Sequence, residues 1–89
     1  MFVGEFLNGE RDGKGKEYNQ VNEIEFEGEY LNGKRWNGKG IDYNYKGDIE
    51  FEGEYLNGKR WNGTIKEYDL EDGEIIFDGL IIEGEKVEY

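Results

Sequence analysis

Few side chains of this sequence could carry out chemistry. The 89 residues include no serine, histidine or cysteine, so carboxylates, lysines, seven tyrosines and Thr64 are the reactive groups. Neither a Ser-His-Asp or Cys-His nucleophile system nor a zinc site of the usual ligands can be built from this set. Carboxylate pairs such as those of glycosidases remain, but nothing in the sequence places two of them across a pocket. We therefore expect no enzyme, no cofactor and no metal site.

A basic and aromatic tripeptide is the next chemically distinctive feature. Lys-Arg-Trp occurs at 34–36 and again at 59–61, and basic residues beside an indole suit a phospholipid head group or a sugar. The net charge of −11 opposes approach to an anionic membrane and leaves no basic surface for nucleic acid. Lipid or sugar binding is therefore the alternative to protein binding, and nucleic acid is excluded. The candidate lipid contacts are Lys34, Arg35, Lys59 and Arg60.

Both tripeptides belong to an internal repeat. Residues 24–38 and 49–63 are identical, with the sequence IEFEGEYLNGKRWNG. Including a weaker copy before them and a degenerate one after them, four units begin at about Phe2, Phe26, Phe51 and Phe77. Units of this length are single supersecondary elements that bury their apolar surface by stacking on neighbours. Residues 1–89 are therefore expected to form one array.

Each unit predicts a β-hairpin. In the second unit Phe26, Gly28 and Tyr30 alternate with glutamates, which is the period-two pattern of a half-buried strand. Asn32-Gly33 follows, and this dipeptide favours the type I′ turn between antiparallel strands. A two-residue turn places Tyr30 opposite Arg35, which predicts that the guanidinium rests on the phenol ring.

Two further features predict irregular backbone. The second and third units contain one residue more than the first, near Trp36 and Trp61, and a single inserted residue within a strand is a β-bulge. Glycine recurs in the middle of the first strand of every unit, at positions 4, 28, 53 and 79. Its place between apolar residues predicts that a neighbouring aromatic ring lies flat over the bare backbone.

The unit resembles the MORN (membrane occupation and recognition nexus) repeat, whose consensus begins Tyr-x-Gly-x-Trp-x-x-Gly and continues with Gly-x-Gly. The resemblance covers nearly the whole chain, and in the second unit it rests on Phe26, Gly28, Tyr30, Gly33, Gly38 and Gly40. It implies an all-β fold, an elongated single-layer antiparallel sheet of successive hairpins with an aromatic-lined groove on one face. Proteins of that family are scaffolds, dimerisation modules or, less securely, phospholipid-binding segments. We accordingly expect a non-catalytic protein-interaction module that binds a partner protein through its aromatic face or its sheet edges.

The aromatic stripe supplies the candidate partner-binding residues. A single-layer sheet leaves part of its apolar face open, and exposed apolar patches often mark interaction sites. The same rings could pack on each other and on the glycines to form the core, and the two interpretations are compatible. The candidates are Phe26, Tyr30, Trp36, Tyr43, Phe51, Tyr55, Trp61 and Tyr68.

The edges of the sheet are the other candidate contacts, since an open sheet leaves backbone groups unpaired at both ends. We expect these edges near Phe2–Leu7 and in the segment 81–89. Leu80 and Ile81 stand where earlier units have Glu and Tyr, and this apolar change predicts a homodimer contact rather than a polar cap. The candidate dimer contacts are Phe77, Leu80, Ile81 and Ile82.

The sequence also leads to an expectation for location. No stretch approaches the ~18 apolar residues of a membrane-spanning helix, and the first residues lack the basic-then-apolar pattern of a signal peptide. We expect a cytoplasmic protein, with any association with the cytoskeleton or a membrane made through its partner.

Overall fold

The computed structural model describes residues 1–88, which form one open antiparallel β-sheet. Each strand pairs with its neighbours in the chain, and no helix occurs in this part of the protein, so the predicted all-β fold is confirmed. The sheet does not close, and its edges are the first and last strands. The strands are β1 (Phe2–Leu7), β2 (Glu10–Tyr18), β3 (Ile24–Leu31), β4 (Lys34–Tyr43), β5 (Ile49–Leu56), β6 (Lys59–Tyr68), β7 (Ile75–Ile82) and β8 (Glu85–Glu88).

Type I′ turns close the first three hairpins, as predicted. Both residues of each Asn-Gly pair have positive φ, 51–52° at asparagine and 81° at glycine. These values are the left-handed conformation that the turn requires. Glu83 and Gly84 adopt the same geometry in the fourth hairpin, with φ of 49° and 86°. The Asn-Gly turns are at Asn8-Gly9, Asn32-Gly33 and Asn57-Gly58.

The predicted bulges are present at both tryptophans. Tyr30 pairs with Arg35, as the two-residue turn requires, whereas the adjacent Glu29 pairs with Asn37. Trp36 is therefore left without a partner in the ladder. The third hairpin repeats this arrangement at Trp61.

The first hairpin contains a bulge that the unit lengths did not indicate. Gly4 pairs with Gly15 and Phe6 with Arg11, so the three residues 12–14 face Glu5 alone. The Glu5 carboxylate accepts a hydrogen bond of 2.9 Å from the backbone N–H of Lys14. That bond satisfies a donor in a segment where the ladder is interrupted.

The two faces of the sheet differ in chemistry. Directly opposite residues of antiparallel strands share a face, and successive residues of one strand alternate between faces. We call the face of Phe26, Gly28 and Tyr30 the aromatic face, and the face of the intervening glutamates the charged face. The buried apolar side chains of residues 1–88 all lie on the aromatic face, and Phe2 and Phe77 pack against them. They are Phe26, Tyr30, Phe51, Tyr55, Ile65 and Ile81.

Close packing explains the glycines of the strand centres. A Cβ added to Gly40 would lie 2.6 Å from Cδ1 of Phe26, so rings do lie on bare backbone. At Gly28, however, the limiting contact is the backbone oxygen of Asn37, 2.1 Å from an added Cβ, and Gly53 has the same environment. The predicted overlying ring is therefore wrong for Gly28 and Gly53, where the bulge itself requires glycine, and the ring lies instead on the Gly-x-Gly segment of β4.

The loops between hairpins begin with a side chain that organises them. Asn19 Oδ1 accepts backbone hydrogen bonds of 2.9 Å from Val21 and from Glu23. Asn44 accepts the equivalent bonds in the second loop, and Asp69 accepts bonds from the second and third residues after it in the third loop, which is one residue longer. The three loops therefore return the chain at matching positions, which keeps the hairpins in register.

Candidate functional site

The buried rings form an edge-to-face ladder that crosses from repeat to repeat. Phe26 contacts Tyr30 of its own strand at 5.3 Å between ring centroids and Tyr55 of the next repeat at 5.5 Å. Phe2 meets Tyr30 at 4.9 Å, and Phe51 meets Tyr55 at 5.4 Å. Interplanar angles of 76–87° are the T-shaped geometry that aromatic pairs favour. Neighbouring hairpins are thus joined by side chains as well as by backbone.

One cationic side chain covers the phenylalanine of each repeat. The guanidinium carbon of Arg35 lies 4.9 Å from the Phe26 centroid and 5.5 Å from that of Tyr55. The predicted stacking of Arg35 on Tyr30 is therefore wrong, although the two residues are paired in the ladder. The long side chain reaches along the face instead of lying over its direct partner. The other pairs are Arg11 over Phe2 at 4.4 Å, Arg60 over Phe51 at 5.2 Å and Lys86 over Phe77 at 5.5 Å.

A carboxylate opposite the phenylalanine fixes each of these cations from the second repeat onward. Glu17 pairs with Phe26 in the ladder. Its two oxygens accept hydrogen bonds from Nε and Nη2 of Arg35 at 3.1 and 3.0 Å. The equivalent contacts are Arg60 Nη2 to Asp42, opposite Phe51, at 2.9 Å, and Lys86 Nζ to Glu67, opposite Phe77, at 2.6 Å.

The tyrosine hydroxyls complete this network. Tyr30 donates to Glu17 at 2.6 Å, and Tyr55 donates to Asp42. Arg35 also donates through Nη1 to Asp42 at 2.9 Å and to the Tyr55 hydroxyl at 3.1 Å, so it bridges two repeats. No buried side-chain nitrogen or oxygen of residues 1–88 lacks a hydrogen-bond partner. The network is therefore fully satisfied, which is the condition for polar groups at a buried face to be stabilising.

Protonation states in the network are fixed near neutral pH. Burial raises the pKa of the Glu17 carboxyl, but hydrogen bonds from Arg35 and Tyr30 outweigh burial and bring it below its ordinary value of 4.5. Burial and the hydrogen bond to Asp42 raise the pKa of the Tyr55 hydroxyl to about 12. These shifts favour a charged Glu17 carboxylate and a neutral Tyr55 phenol.

Four predicted partner-binding rings are core residues. The exposed fractions of Phe26, Tyr30, Phe51 and Tyr55 are 0, 3, 0 and 8%. Rings this deeply buried offer almost no surface to a partner in the folded chain. The structure thus assigns them to the core, the alternative that the sequence left open.

Two further rings of the predicted stripe lie on the opposite face. Tyr43 follows Asp42, whose side chain belongs to the aromatic-face network, so alternation directs Tyr43 to the charged face. It pairs there with Ile49, and 41% of its surface is exposed. Tyr68 follows Glu67 in the same manner and pairs with Ile75. Their assignment to a single aromatic stripe is corrected accordingly.

The Lys-Arg-Trp tripeptides do not form single head-group sites. Arg35 points to the aromatic face, and Trp36 packs against the next turn, where a Cβ on Gly58 would lie 2.9 Å from Trp36 Cζ3. Lys34 is exposed beside Leu31, its ladder partner. The third repeat divides Lys59, Arg60 and Trp61 in the same way. Alternation puts the lysine and the arginine on opposite faces, and the bulged tryptophan packs under the turn of the next hairpin, so the three side chains do not converge.

One row of the charged face alternates lysines and glutamates across neighbouring strands. Glu27 pairs with Lys16 on one side, at 3.5 Å between Oε2 and Nζ, and with Lys39 on the other. Lys39 pairs also with Glu54 of the following strand. Opposite charges thus alternate across the strands, an arrangement that favours sheet pairing.

The C-terminal edge differs from the predicted dimer surface. β8 covers Gly79–Ile82, so Leu80 and Ile81 belong to an inner strand, and Ile81 is buried in the core. Phe77 packs against the same core, whereas Ile82 is exposed. Tyr89, the last residue of the predicted edge, lies outside the described residues. Dimerisation through this end stays a prediction.

Sequence reasoning missed the carboxylates that hold the cations. Glu17, Asp42 and Glu67 are absent from the predicted site, although each directly precedes one of three tyrosines that recur at a fixed spacing. That periodic acidic position was the available signal. It carried no information about which cation it would meet, because the arginine lies on another strand.

Comparisons with protein-family models, curated proteins and solved structures find no match to this chain. The described residues contain no helix suited to crossing a bilayer. Within residues 1–88, no cluster of three or more acidic, histidine or cysteine side chains is arranged to hold a metal ion.

Proposed function

We propose that this chain is a non-catalytic protein-interaction module that binds a partner protein at the edge of its open sheet. The observation that carries the proposal is the state of β1, whose outer side has no neighbouring strand in the described structure. Its apolar side chains are open to solvent as well, with Phe6 61% and Leu7 59% exposed. Unpaired backbone beside exposed apolar side chains is the surface used in β-strand addition.

The edge is favoured over the aromatic face for a physical reason. The rings of that face are buried, and cations bonded to carboxylates lie over the phenylalanines. A partner would have to displace satisfied hydrogen bonds to reach them, which is unfavourable. The edge instead offers backbone donors and acceptors that no neighbouring strand of the described structure pairs. The resemblance to MORN arrays, which include scaffolds, agrees with this proposal.

The phospholipid or sugar alternative has less support. Arg35 and Arg60 are engaged by Glu17 and Asp42, so neither guanidinium is free to bind a phosphate. The exposed Lys34 and Lys59 remain, and each lies on the face opposite its neighbouring arginine.

A matched pair of variants tests the edge. Leu7 and Leu56 both precede an Asn-Gly turn, but Leu7 is on β1 and Leu56 is on β5, an inner strand. Random peptides displayed on phage are selected on the full chain, and bound clones are then tested on Leu7→Lys and Leu56→Lys. We expect Leu7→Lys to weaken binding about tenfold and Leu56→Lys to leave it unchanged. Selected clones that bind both folded variants like the parent would contradict the proposal.

A further inference from the structure

The backbone groups of β1 that point away from the sheet can be identified. Met1 and Tyr18 exchange both of their backbone hydrogen bonds, at 2.7 and 2.8 Å. In an antiparallel ladder such pairs alternate with pairs whose N–H and C=O groups point outward. Phe2 and Gly4 therefore direct their donors and acceptors to the open side. Phe6 does so too. Leu7 and Glu10 flank the two-residue turn and form its hydrogen-bonded pair, so the next pair, Phe6 and Arg11, has its N–H and C=O groups pointing outward.

Three junctions inside the sheet show what covers the equivalent edge elsewhere. β2 covers β3, β4 covers β5 and β6 covers β7, always antiparallel. In the first of these, Gly13 lies opposite Tyr30, Gly15 opposite Gly28 and Glu17 opposite Phe26. Each covering strand ends with an acidic residue and a tyrosine, and the acidic residue bonds to the cation above the phenylalanine. The acidic and tyrosine pairs are Glu17-Tyr18, Asp42-Tyr43 and Glu67-Tyr68.

β1 has the phenylalanine and the cation, but the carboxylate near them is Glu17, the ladder partner of Phe2 on the inner side, which is shared with Arg35. Arg11 stacks on Phe2 at 4.4 Å, and no strand in the described structure lies on the far side of β1 to bring an acidic residue opposite Phe2. The ion pair of Arg11 is a 3.5 Å contact with Glu17, which also binds Arg35. The Arg11 side chain is 39% exposed, against 17% for Arg35. It is therefore the most accessible arginine of this network.

Charge near β1 suits an acidic ligand better than charge elsewhere on the chain. Residues 1–18 contain three cationic and four acidic side chains. The rest of the chain carries nearly all of the net −11. An incoming carboxylate therefore meets little repulsion at this end, and Arg11 favours it directly.

We propose that β1 binds an extended segment of a partner protein as an additional antiparallel strand, with an acidic residue opposite Phe2 bonded to Arg11. Small residues of that segment lie opposite Phe6 and Gly4, as Gly13 and Gly15 do in β2, and a tyrosine follows the acidic residue. This inference rests on the proposed function and specifies the chemistry of the partner.

The chain supplies a probe for this site. A synthetic peptide with the sequence of residues 37–44, NGKGIDYN, reproduces the strand that covers β5. Added to the ¹⁵N-labelled full chain, it is expected to slow amide exchange at Phe2, Gly4 and Phe6 by at least tenfold. Replacing the peptide aspartate by asparagine should weaken binding about fivefold to tenfold, since a charge-assisted hydrogen bond is lost. With Arg11→Gln protein, shown to be folded by circular dichroism, the two peptides should bind equally.

Backbone pairing is tested by a peptide in which sarcosine replaces the second glycine. That residue lies opposite Gly4 in the proposed register, so its methylated nitrogen removes one hydrogen bond and introduces a clash. Binding should be lost, and undiminished binding would overturn the inference. Protection of the amides of Ile75–Phe77, the part of β7 that β8 does not cover, instead of those of β1 would overturn the inference as well. So would an equal loss of affinity, in the parent and Arg11→Gln proteins, when the peptide aspartate is replaced by asparagine.

Two outcomes separate this inference from the proposed function. If the probe fails to bind while phage-selected peptides still depend on Leu7, the inference is wrong and the edge remains an interaction site. If β1 amides of the free chain become protected as its concentration rises, a second copy of the chain occupies the edge, and the inferred acidic strand of a partner protein is wrong.

Discussion

At the scale of single residues, arginine solves a problem specific to a one-layer sheet. No second layer covers the aromatic face, so water would otherwise reach the phenylalanine rings. Arg35 places an apolar stem and a flat guanidinium over Phe26, while the edges of the same group bind carboxylates on the flanking strands. Lys86, which has no such plane, covers Phe77 less completely and is itself 51% exposed. Phe77 accordingly stays half-buried, whereas Phe26 is fully buried.

Arg35 is predicted to stabilise the fold more than Arg60 does. The two occupy the same position of identical 15-residue segments, but Arg35 hydrogen-bonds both Glu17 and Asp42 and is 17% exposed, whereas Arg60 hydrogen-bonds Asp42 and is 32% exposed. Removing Arg35 leaves Glu17 half-buried with a weaker partner. We expect Arg35→Met to lower the free energy of unfolding by about 2–3 kcal/mol and Arg60→Met by about 1 kcal/mol.

Urea unfolding followed by circular dichroism measures both changes. Because sequence context is the same at the two positions, helix or strand propensity cancels in the comparison. Equal losses, or a larger loss in Arg60→Met, would show that bridging between repeats contributes nothing.

At the scale of elements, each bulge is joined to the turn of the following hairpin. The backbone oxygen of Trp36 accepts a hydrogen bond from Gly58 N–H at 2.9 Å, and Trp61 accepts one from Gly84 at 2.9 Å. A bulge frees a carbonyl from the ladder, and the next turn uses it. The tryptophan ring then fills the space beneath that turn. The first hairpin makes the same bond, from Gly33 N–H to the Arg11 oxygen at 2.9 Å, so the second and third units add the packing of the tryptophan ring to a contact that all three junctions share.

Three glycines in the same kind of turn allow that contact to be measured. Gly9, Gly33 and Gly58 each have φ of 81°, but an added Cβ would meet nothing within 4 Å at Gly9 and would lie 2.9 Å from the Trp36 ring at Gly58. Alanine strains the backbone equally at these positions, by about 1 kcal/mol. We expect Gly58→Ala to destabilise the protein by about 1 kcal/mol more than Gly9→Ala, because the ring must shift.

The double variant Trp36→Ala with Gly58→Ala identifies the cause. The additional loss at Gly58 should vanish once the ring is absent, as thermal unfolding can show. An unchanged difference between Gly58→Ala and Gly9→Ala in the Trp36→Ala background would mean that the turns differ for another reason.

The features that could be predicted from the sequence are those whose signals are local. Period-two alternation and Asn-Gly predicted the hairpins, and unit length predicted the bulge at Trp36. The face on which Tyr43 lies could also have been predicted. Alternation puts Gly40 and Asp42 on the aromatic face and therefore Tyr43 on the charged face. The ring beneath Arg35 could not be predicted. A long side chain can reach several rings, and the choice depends on hydrogen bonds to Glu17 of β2 and Asp42 of β4. Side-chain contacts between residues of different strands, such as Glu17 and Arg35, decided the site.

At the scale of the whole molecule, stability is distributed unevenly along the array. In a stacked repeat each unit is stabilised chiefly by its neighbours, so terminal units have half the contacts of inner ones. The buried side chains confirm the asymmetry, since those of residues 1–88 lie in β3, β5, β6 and β7. β1 contributes the half-buried Phe2, and all side chains of β8 are exposed.

Amide hydrogen exchange should therefore follow a gradient from the ends to the centre. β8 pairs with β7 through four residues, and all of its side chains are exposed. It can therefore open alone while β7 stays paired with β6. We expect β8 amides to exchange through local opening that is insensitive to low urea, since little surface is exposed. β1 should come next, because Phe2 packs on Tyr30. Amides bonded within β3–β6 should exchange last, with a urea dependence equal to that of global unfolding.

Native-state exchange followed by NMR at increasing urea distinguishes these classes. If β8 amides were as protected as those of β4, with the same urea dependence, the array would unfold as one cooperative unit and the nearest-neighbour account of its stability would be wrong.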